Sequence, residues 1–207
     1  MFTGIIEEMG TVERTQMKDN YRHITFKAIK FLEGVSLGDS IAVNGVCLTV
    51  LEFSSCSFTA GIMKETLAKT NLNNVSPGDK VNLERALTFS DRINGHLVSG
   101  HVDHMGKVKH IDRQTGLVMM HVFAPDHVMK YIVDKGSIAI DGVSLTIVDF
   151  DREGFSVSLL PYSLHETTLG FRKVGDKVNL EIDLLAKFAE KRSVRLTLSF
   201  LEEHGYL

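Results

Sequence analysis

The sequence predicts an all-β protein: two tandem homologous six-stranded closed barrels with Greek-key-like topology, followed by a C-terminal α-helical segment. Three observations predict it. A long internal repeat spans most of the chain, each copy is built of short β-type runs punctuated by turn residues, and the pattern changes to helical spacing after Leu184.

The repeat is visible in three ordered matches. Ser40 to Val50 reads SIAVNGVCLTV and Ser137 to Ile147 reads SIAIDGVSLTI, identical at seven of eleven positions with an offset of 97. Gly78 to Glu84 reads GDKVNLE, and Gly175 to Glu181 repeats it letter for letter at the same offset. Thr3-Gly4 and Met9-Gly10-Thr11-Val12 pair with Ser99-Gly100 and Met105-Gly106-Lys107-Val108 at an offset of 96. A period this long implies two copies of one domain, not a solenoid. The expected division is residues 1–96, 97–184 and a helical segment 185–207.

Within each copy the runs Ile41-Ala42-Val43, Cys47-Leu48-Thr49-Val50-Leu51, Phe58-Thr59-Ala60 and Lys80 to Glu84 are short and rich in β-branched types, as strands are. Asn44-Gly45 and Asp141-Gly142 are hairpin dipeptides, because a tight turn needs φ > 0 at both central residues. Pro77-Gly78-Asp79 and Val174-Gly175-Asp176 mark a second turn in each copy. About six short strands in some ninety residues favour closure, which removes exposed edges. After Leu184, the residues Leu184, Leu185, Phe188 and Ala189 fall at helical spacing. Leu198 and Leu201 follow Thr197, a candidate N-cap, and Gly205 is placed to stop a helix.

Composition narrows the class of function. A 43% hydrophobic content fits a globular protein with a buried core, and 23 basic against 26 acidic residues leave a net charge of -3. No broad positive field is available for a phosphate backbone, so nucleic acid is not an expected partner. The first residues carry no basic n-region and no sustained apolar stretch, so neither a secretory signal nor a membrane anchor is expected, and the chain is read as cytoplasmic. Cys47 and Cys56 stand nine positions apart in no CxxC arrangement, which suggests two reduced thiols.

On that duplicated frame, five strings resemble the signatures of the riboflavin synthase family. They are Met1-Phe2-Thr3-Gly4-Ile5, Asn44 to Val50, Met63-Lys64-Glu65-Thr66-Leu67, Gly95 to Asp103 and Asp141 to Thr146. Together they cover almost the whole chain in the family's order. The resemblance implies a cofactor-independent transferase that joins two molecules of 6,7-dimethyl-8-ribityllumazine and passes a four-carbon unit between them. It further implies a homotrimer held through C-terminal helices, with each active site formed between the N-terminal barrel of one subunit and the C-terminal barrel of its neighbour. An association with lumazine synthase is a further partner that the resemblance suggests.

By the same resemblance, substrate-binding residues of the first barrel are Gly4, Ile5, Ile6, Cys47, Leu48, Thr49 and the run Gly61, Ile62, Met63, Lys64, Glu65, Thr66. Those of the second are Gly100, His101, Val102, Lys135, Ser144, Leu145, Thr146 and the run Leu160, Pro161, Tyr162, Ser163, Leu164, His165. Glycines let backbone N–H and C=O groups approach a flat heterocycle, and Thr49, Thr66 and Thr146 offer hydroxyls to its polar atoms and ribityl chain.

The chemistry needs a proton path, because the methyl group on C7 of the lumazine must lose a proton before a carbon–carbon bond can form. His101 is the leading candidate, since an imidazole near its ordinary pKa works in either direction at neutral pH. Cys47 is a candidate nucleophile at C7 and equally a buried structural thiol, while its counterpart is Ser144, an asymmetry suited to a division between donor and acceptor sites. Ser40, Asp141 and Asp183 match family positions associated with activity, although Asp141 also serves its turn and Asp183 a strand end. His96, His101 and His104 lie close in sequence but lack a cysteine or partnered carboxylate, so no metal site is expected.

One string departs from the family. Its usual Pro-Glu-Thr-Leu in the second barrel is Pro161-Tyr162-Ser163-Leu164 here, which exchanges a carboxylate for a phenol in the second pocket. The rival reading is a lumazine- or flavin-binding antenna or carrier on the same barrels. Such relatives lose the active-site Cys and His strings, whereas Cys47 and His101 are kept. A flavin-reductase barrel would need a nicotinamide-binding domain, and no GxGxxG follows a strand.

Overall fold

The computed structural model describes residues 1–114 and 117–192. In the first copy β1 (Glu8–Lys18), β2 (Tyr21–Lys27), β3 (Ser40–Val43), β4 (Val46–Phe53), β5 (Ser57–Ile62) and β6 (Lys80–Arg85) form an antiparallel sheet closed in the order β1-β2-β5-β4-β3-β6. The neighbours β2–β5 and β3–β6 are not consecutive in sequence, which is the crossing expected of a Greek key. Helix α1 (Lys64–Lys69) and a 3-10 turn (Asn71–Asn74) bridge β5 and β6.

The second copy repeats the ring. Strands β7 (His104–Gln114), β8 (Leu117–Phe123), β9 (Ser137–Ile140), β10 (Val143–Phe150), β11 (Gly154–Leu159) and β12 (Lys177–Ile182) close in the corresponding order β7-β8-β11-β10-β9-β12. Helix α2 (Asp126–Met129) precedes β9, and α3 (Pro161–Glu166) with a 3-10 turn (Thr168–Phe171) precedes β12. The helix expected from Leu184 onward is α4 (Leu184–Arg192), while Thr197, Leu198, Leu201 and Gly205 lie outside the described residues. Among the described residues no helix is long and apolar enough to cross a membrane.

Each barrel fills itself. Val12, Phe26, Phe58, Val81 and Leu83 are at most 1% exposed in the first, as are Val108, Met120, Phe155, Val178 and Leu180 in the second. Strands β4 and β10 share one residue-by-residue pattern of exposure, so Leu48 and Leu145 point inward while Thr49 and Thr146 face out. The two hairpin dipeptides form the turns expected of them, with φ of 46° and 75° at Asn44-Gly45 and 48° and 79° at Asp141-Gly142.

Those turns meet each other across a seam between the barrels. The Asn82 side-chain amide donates to the Asp141 carbonyl at 2.9 Å, and the Asn179 amide donates to the Asn44 carbonyl at 2.9 Å. Thr168 N–H donates to Asn82 Oδ1 (2.7 Å), and Asn71 N–H donates to Asn179 Oδ1 (2.8 Å). These four bonds therefore form two matched pairs, as a pseudo-two-fold axis requires. All six of these polar residues are buried, and their mutual bonds satisfy backbone groups that would otherwise lose water without compensation.

Glycine is required at the centre of the seam. A Cβ on Gly45 would stand 2.7 Å from the Gly142 nitrogen, and one on Gly142 would stand equally close to Gly45. Both residues also have positive φ. Gly45→Ala is expected to cost about 3 kcal/mol, from left-handed strain and overpacking together. Denaturant unfolding of the variant against the parent measures it, and a loss below about 1 kcal/mol would show that the seam yields.

Candidate active site

The segments that precede the barrels are exchanged between them. Phe2 and Val98 form a short antiparallel bridge, with N–H···O distances of 2.8 and 3.0 Å, and bury both side chains in the seam beside Ala42 and Ala139. Beyond it, the Gly4 carbonyl accepts from the Ser144 N–H on β10, and the Gly100 carbonyl accepts from the Cys47 N–H on β4, both at 2.8 Å. Ile6 then packs into the core of the second barrel and Val102 against that of the first. The grouping expected from chain order is thus corrected. Gly4 to Ile6 lie with the second barrel's Ser144, and Gly100 to Val102 lie with the first barrel's Cys47.

Two buried carboxylates hold these segments. Glu84 on β6 accepts from Thr3 N–H (2.6 Å), the Thr3 hydroxyl (2.7 Å) and Gly4 N–H (3.0 Å). Glu181 on β12 does the same for Ser99 N–H, the Ser99 hydroxyl and Gly100 N–H, at 2.6, 2.7 and 3.0 Å. The clamp works because Gly4 and Gly100 have φ of 75° and 83°, and a Cβ on either would meet Ser144 or Cys47 within 2.6 Å. Burial raises the proton affinity of both glutamates, and the hydrogen bonds they accept pull the other way.

Around each clamp stands one candidate site. The first holds half-buried Cys47, exposed Thr49 and Ser40 on the neighbouring β3, which pairs with Thr49. The end of β5 supplies Gly61 and Ile62, and Met63, Lys64, Glu65 and Thr66 follow at the start of α1, where Glu65 pairs with Lys69 at 2.8 Å. Exposed His101 approaches on the exchanged segment, its N–H donating to Ser99 Oγ.

The second site holds Ser144 and exposed Thr146, with Leu160 and Pro161 leading into α3. Proline occupies the first turn of that helix, where its missing N–H is no loss. Tyr162 is 72% exposed, Ser163 and Leu164 are half-buried, and His165 pairs with Glu166 at 2.8 Å. Leu145 is buried beneath Ser144 and Thr146. Lys135 sits with φ of 60° where the first copy has Gly38, and its ammonium lies 3.4 Å from Asp134. A lysine held in the left-handed region is a strained choice, of the kind found at ligand sites.

Two of the candidates serve structural contacts. The Asp141 side chain is fully buried in the seam, accepting from Asn71 Nδ2 (2.7 Å), Asn179 N–H (2.8 Å) and Arg172 Nη2 (2.7 Å), and it raises the Arg172 proton affinity. Asp183 closes β12 and starts α4, accepting from Leu185 N–H at 2.9 Å. The three sequence-neighbour histidines do not converge: His104 stacks edge-on against His127, with ring centroids 5.0 Å apart. Among the described residues no group of three or more His, Cys, Asp or Glu is placed to hold a metal.

A cleft of ≈ 640 Å³ beside the first barrel takes in Ile5, Ser40, Glu84, Arg85 and Arg92. Its lining includes neither Cys47 nor Ser144, which are half-buried, nor His101, which is exposed.

Comparison with known proteins places this arrangement. A family model described as a lumazine binding domain matches twice, over residues 3–86 and 99–183, which are the two barrels with their clamped segments. A riboflavin synthase of Actinobacillus pleuropneumoniae is 44% identical over the full length of both chains, and one of Bacillus subtilis is 41% identical over the full length of both. The chain belongs to the riboflavin synthase family. It is accordingly an enzyme, a transferase. The fold also matches a solved structure of LumP complexed with riboflavin, with a TM-score of 0.82 and 24% identity over 88% of this chain and 99% of that one.

Sequence reasoning overlooked Glu84, Glu181 and His96, although all lie in strings it singled out. The available signal was the letter-for-letter GDKVNLE repeat, which ends on a carboxylate in both copies.

The clamps have a pH signature. A glutamate whose proton affinity is raised by folding contributes stability that is fully present below its unfolded value of about 4.5. That contribution is withdrawn as pH rises through the folded value. Glu181→Gln should remove this slope, so the variant's unfolding free energy is expected to improve relative to the parent between pH 4.5 and 7. Parallel curves from urea titrations over that range would refute it. At Asp141 the expectation concerns stability: Asp141→Asn leaves Arg172 buried without its partner and should cost about 3–5 kcal/mol.

Proposed function

We propose that the chain converts two molecules of 6,7-dimethyl-8-ribityllumazine into riboflavin and 5-amino-6-(D-ribitylamino)uracil, one lumazine giving up a four-carbon unit to the other. One observation carries the reading: the molecule has two copies of one site whose scaffolds coincide while their reactive groups differ. Cys47 stands opposite Ser144, His101 opposite Ile5, and Glu65 opposite Tyr162. Two like pockets suit two identical substrates, and unlike reactive groups suit the two parts those substrates play.

The exposure of His101 and the partial exposure of Cys47 and Ser144 support a shared site. Two lumazines must meet face to face, and holding them so supplies much of a bimolecular rate enhancement. In this reading three chains assemble, and the first barrel of one closes against the second barrel of its neighbour. The C-terminal segment from Leu185 onward serves as the contact between subunits. The enzyme works in the cytoplasm, needs no cofactor, and is suited to receive its substrate from lumazine synthase.

His101 then moves the C7-methyl proton. It is exposed beside Cys47 and held by the Glu181 clamp through Ser99. Cys47 is placed to add to C7 or to hold the ring, and Lys135, Thr49, Thr66 and Thr146 to contact ring and ribityl groups.

Purified chain mixed with the ribityllumazine should yield one riboflavin for every two molecules consumed, read by fluorescence and chromatography. A bound but unchanged chromophore would sink the proposal in favour of a carrier. His101→Gln is expected to lower kcat by about 10²- to 10⁴-fold, the usual worth of a general acid–base group.

A further inference from the structure

One histidine on the segment that joins the two barrels stands against the second site. His96 precedes Ser99 by three positions. The connecting segment carries it to one place. Its N–H donates to the Thr3 carbonyl at 3.1 Å, continuing the Phe2–Val98 bridge. Gly95 allows the approach, because a Cβ there would collide with the Thr3 carbonyl and lie 2.8 Å from Ser144 Cβ.

The imidazole is thereby set against the second site's reactive position, with His96 Nδ1 2.7 Å from Ser144 Oγ. His96 is 9% exposed, and its Nε2 is buried without a hydrogen-bond partner among the described residues. A buried ring nitrogen left unsatisfied costs about 1–3 kcal/mol, so a purely structural role is a poor use of this residue. The charged group that acts on it is Asp183 at the end of β12. Burial lowers its proton affinity, and Asp183 works against that to a smaller extent. The ring is therefore a neutral base at neutral pH, with a carboxylate nearby to favour its cation once formed.

We propose that His96 is the positioning residue that makes Ser144 the proton-carrying hydroxyl of the second barrel. This rests on the lumazine-dismutation reading and deepens it. With the ring proton on Nε2, Nδ1 accepts from the Ser144 hydroxyl. When the C7-methyl C–H bond of a bound lumazine breaks, its electron pair stays on the lumazine and its proton goes to Ser144 Oγ. The original hydroxyl proton passes to His96 Nδ1, and an imidazolium forms. The reverse relay returns that proton to the ring nitrogen that departs with the uracil product. The first barrel uses His101 and the second uses His96 through Ser144.

Steady-state kinetics of His96→Gln, Ser144→Ala and the double variant test it, with the parent chain as reference. Each single change should lower kcat by about 10- to 100-fold, within the range of acid–base contributions, while KM moves by less than about 3-fold. The part of the acid-side fall of kcat with pH that reports the neutral His96 imidazole should be lost in both, and to the same extent. The double variant should match the slower single one, because the two residues act as one unit. Ser144→Ala removes one half-buried atom, so it answers the question even where His96→Gln folds poorly. Parental kcat and an unaltered acid limb in Ser144→Ala overturn the proposal, as do effects that multiply in the double variant. A parent chain that makes no riboflavin overturns the underlying reading instead.

Discussion

Everything in this molecule depends on the burial of backbone and amide groups where the two barrels touch. Barrels closed on themselves have no sheet edges to offer each other, so they cannot be joined by extending a sheet. They are joined by turns and by segments that cross over. Those groups give up water, and each must find a partner inside. The reciprocal bonds of Asn44, Asn71, Asn82, Thr168 and Asn179 provide the partners, and the Gly45–Gly142 approach sets the distance at which they do so.

That constraint reaches the chemistry through the crossed segments. Glu84 fixes Thr3 and Gly4, and the Gly4 carbonyl fixes the backbone at Ser144; Glu181 fixes Ser99 and Gly100, and the Gly100 carbonyl fixes the backbone at Cys47. Each reactive side chain is thus held by its own barrel on one side and by a strap from outside on the other. A reaction between two molecules of one compound gains from such rigidity, since small displacements of either partner forfeit much of the advantage of proximity.

The β architecture was legible because its signals are local. Asn44-Gly45 and Asp141-Gly142 name their turn type, and a repeat of 97 residues names the domain. Cys47, Ser144 and the Gly-rich strings were singled out through their resemblance to the riboflavin synthase signatures. The exchange of Gly4–Ile6 with Gly100–Val102 was not legible, because nothing in a strand pattern says which of two identical barrels a leading segment will cover. Glu84 and Glu181 escaped notice because an alternating strand with a terminal carboxylate reads as a solvated edge. Only the fold shows three donors converging on each one. His96 looked like one of a histidine cluster, and the structure separates it from His101 and His104 by sending each to a different neighbour.

The seam is symmetric in shape but not in charge. Asp141 occupies the place that Asn44 has in the other copy, and it takes the Asn71 amide from across the junction, where Asn71 itself corresponds to Thr168. Two second barrels brought face to face would bury a pair of like carboxylates and offer each a threonine in place of that amide. The junction thus tells its two halves apart, since only one of them brings the carboxylate and only the other brings the amide that meets it.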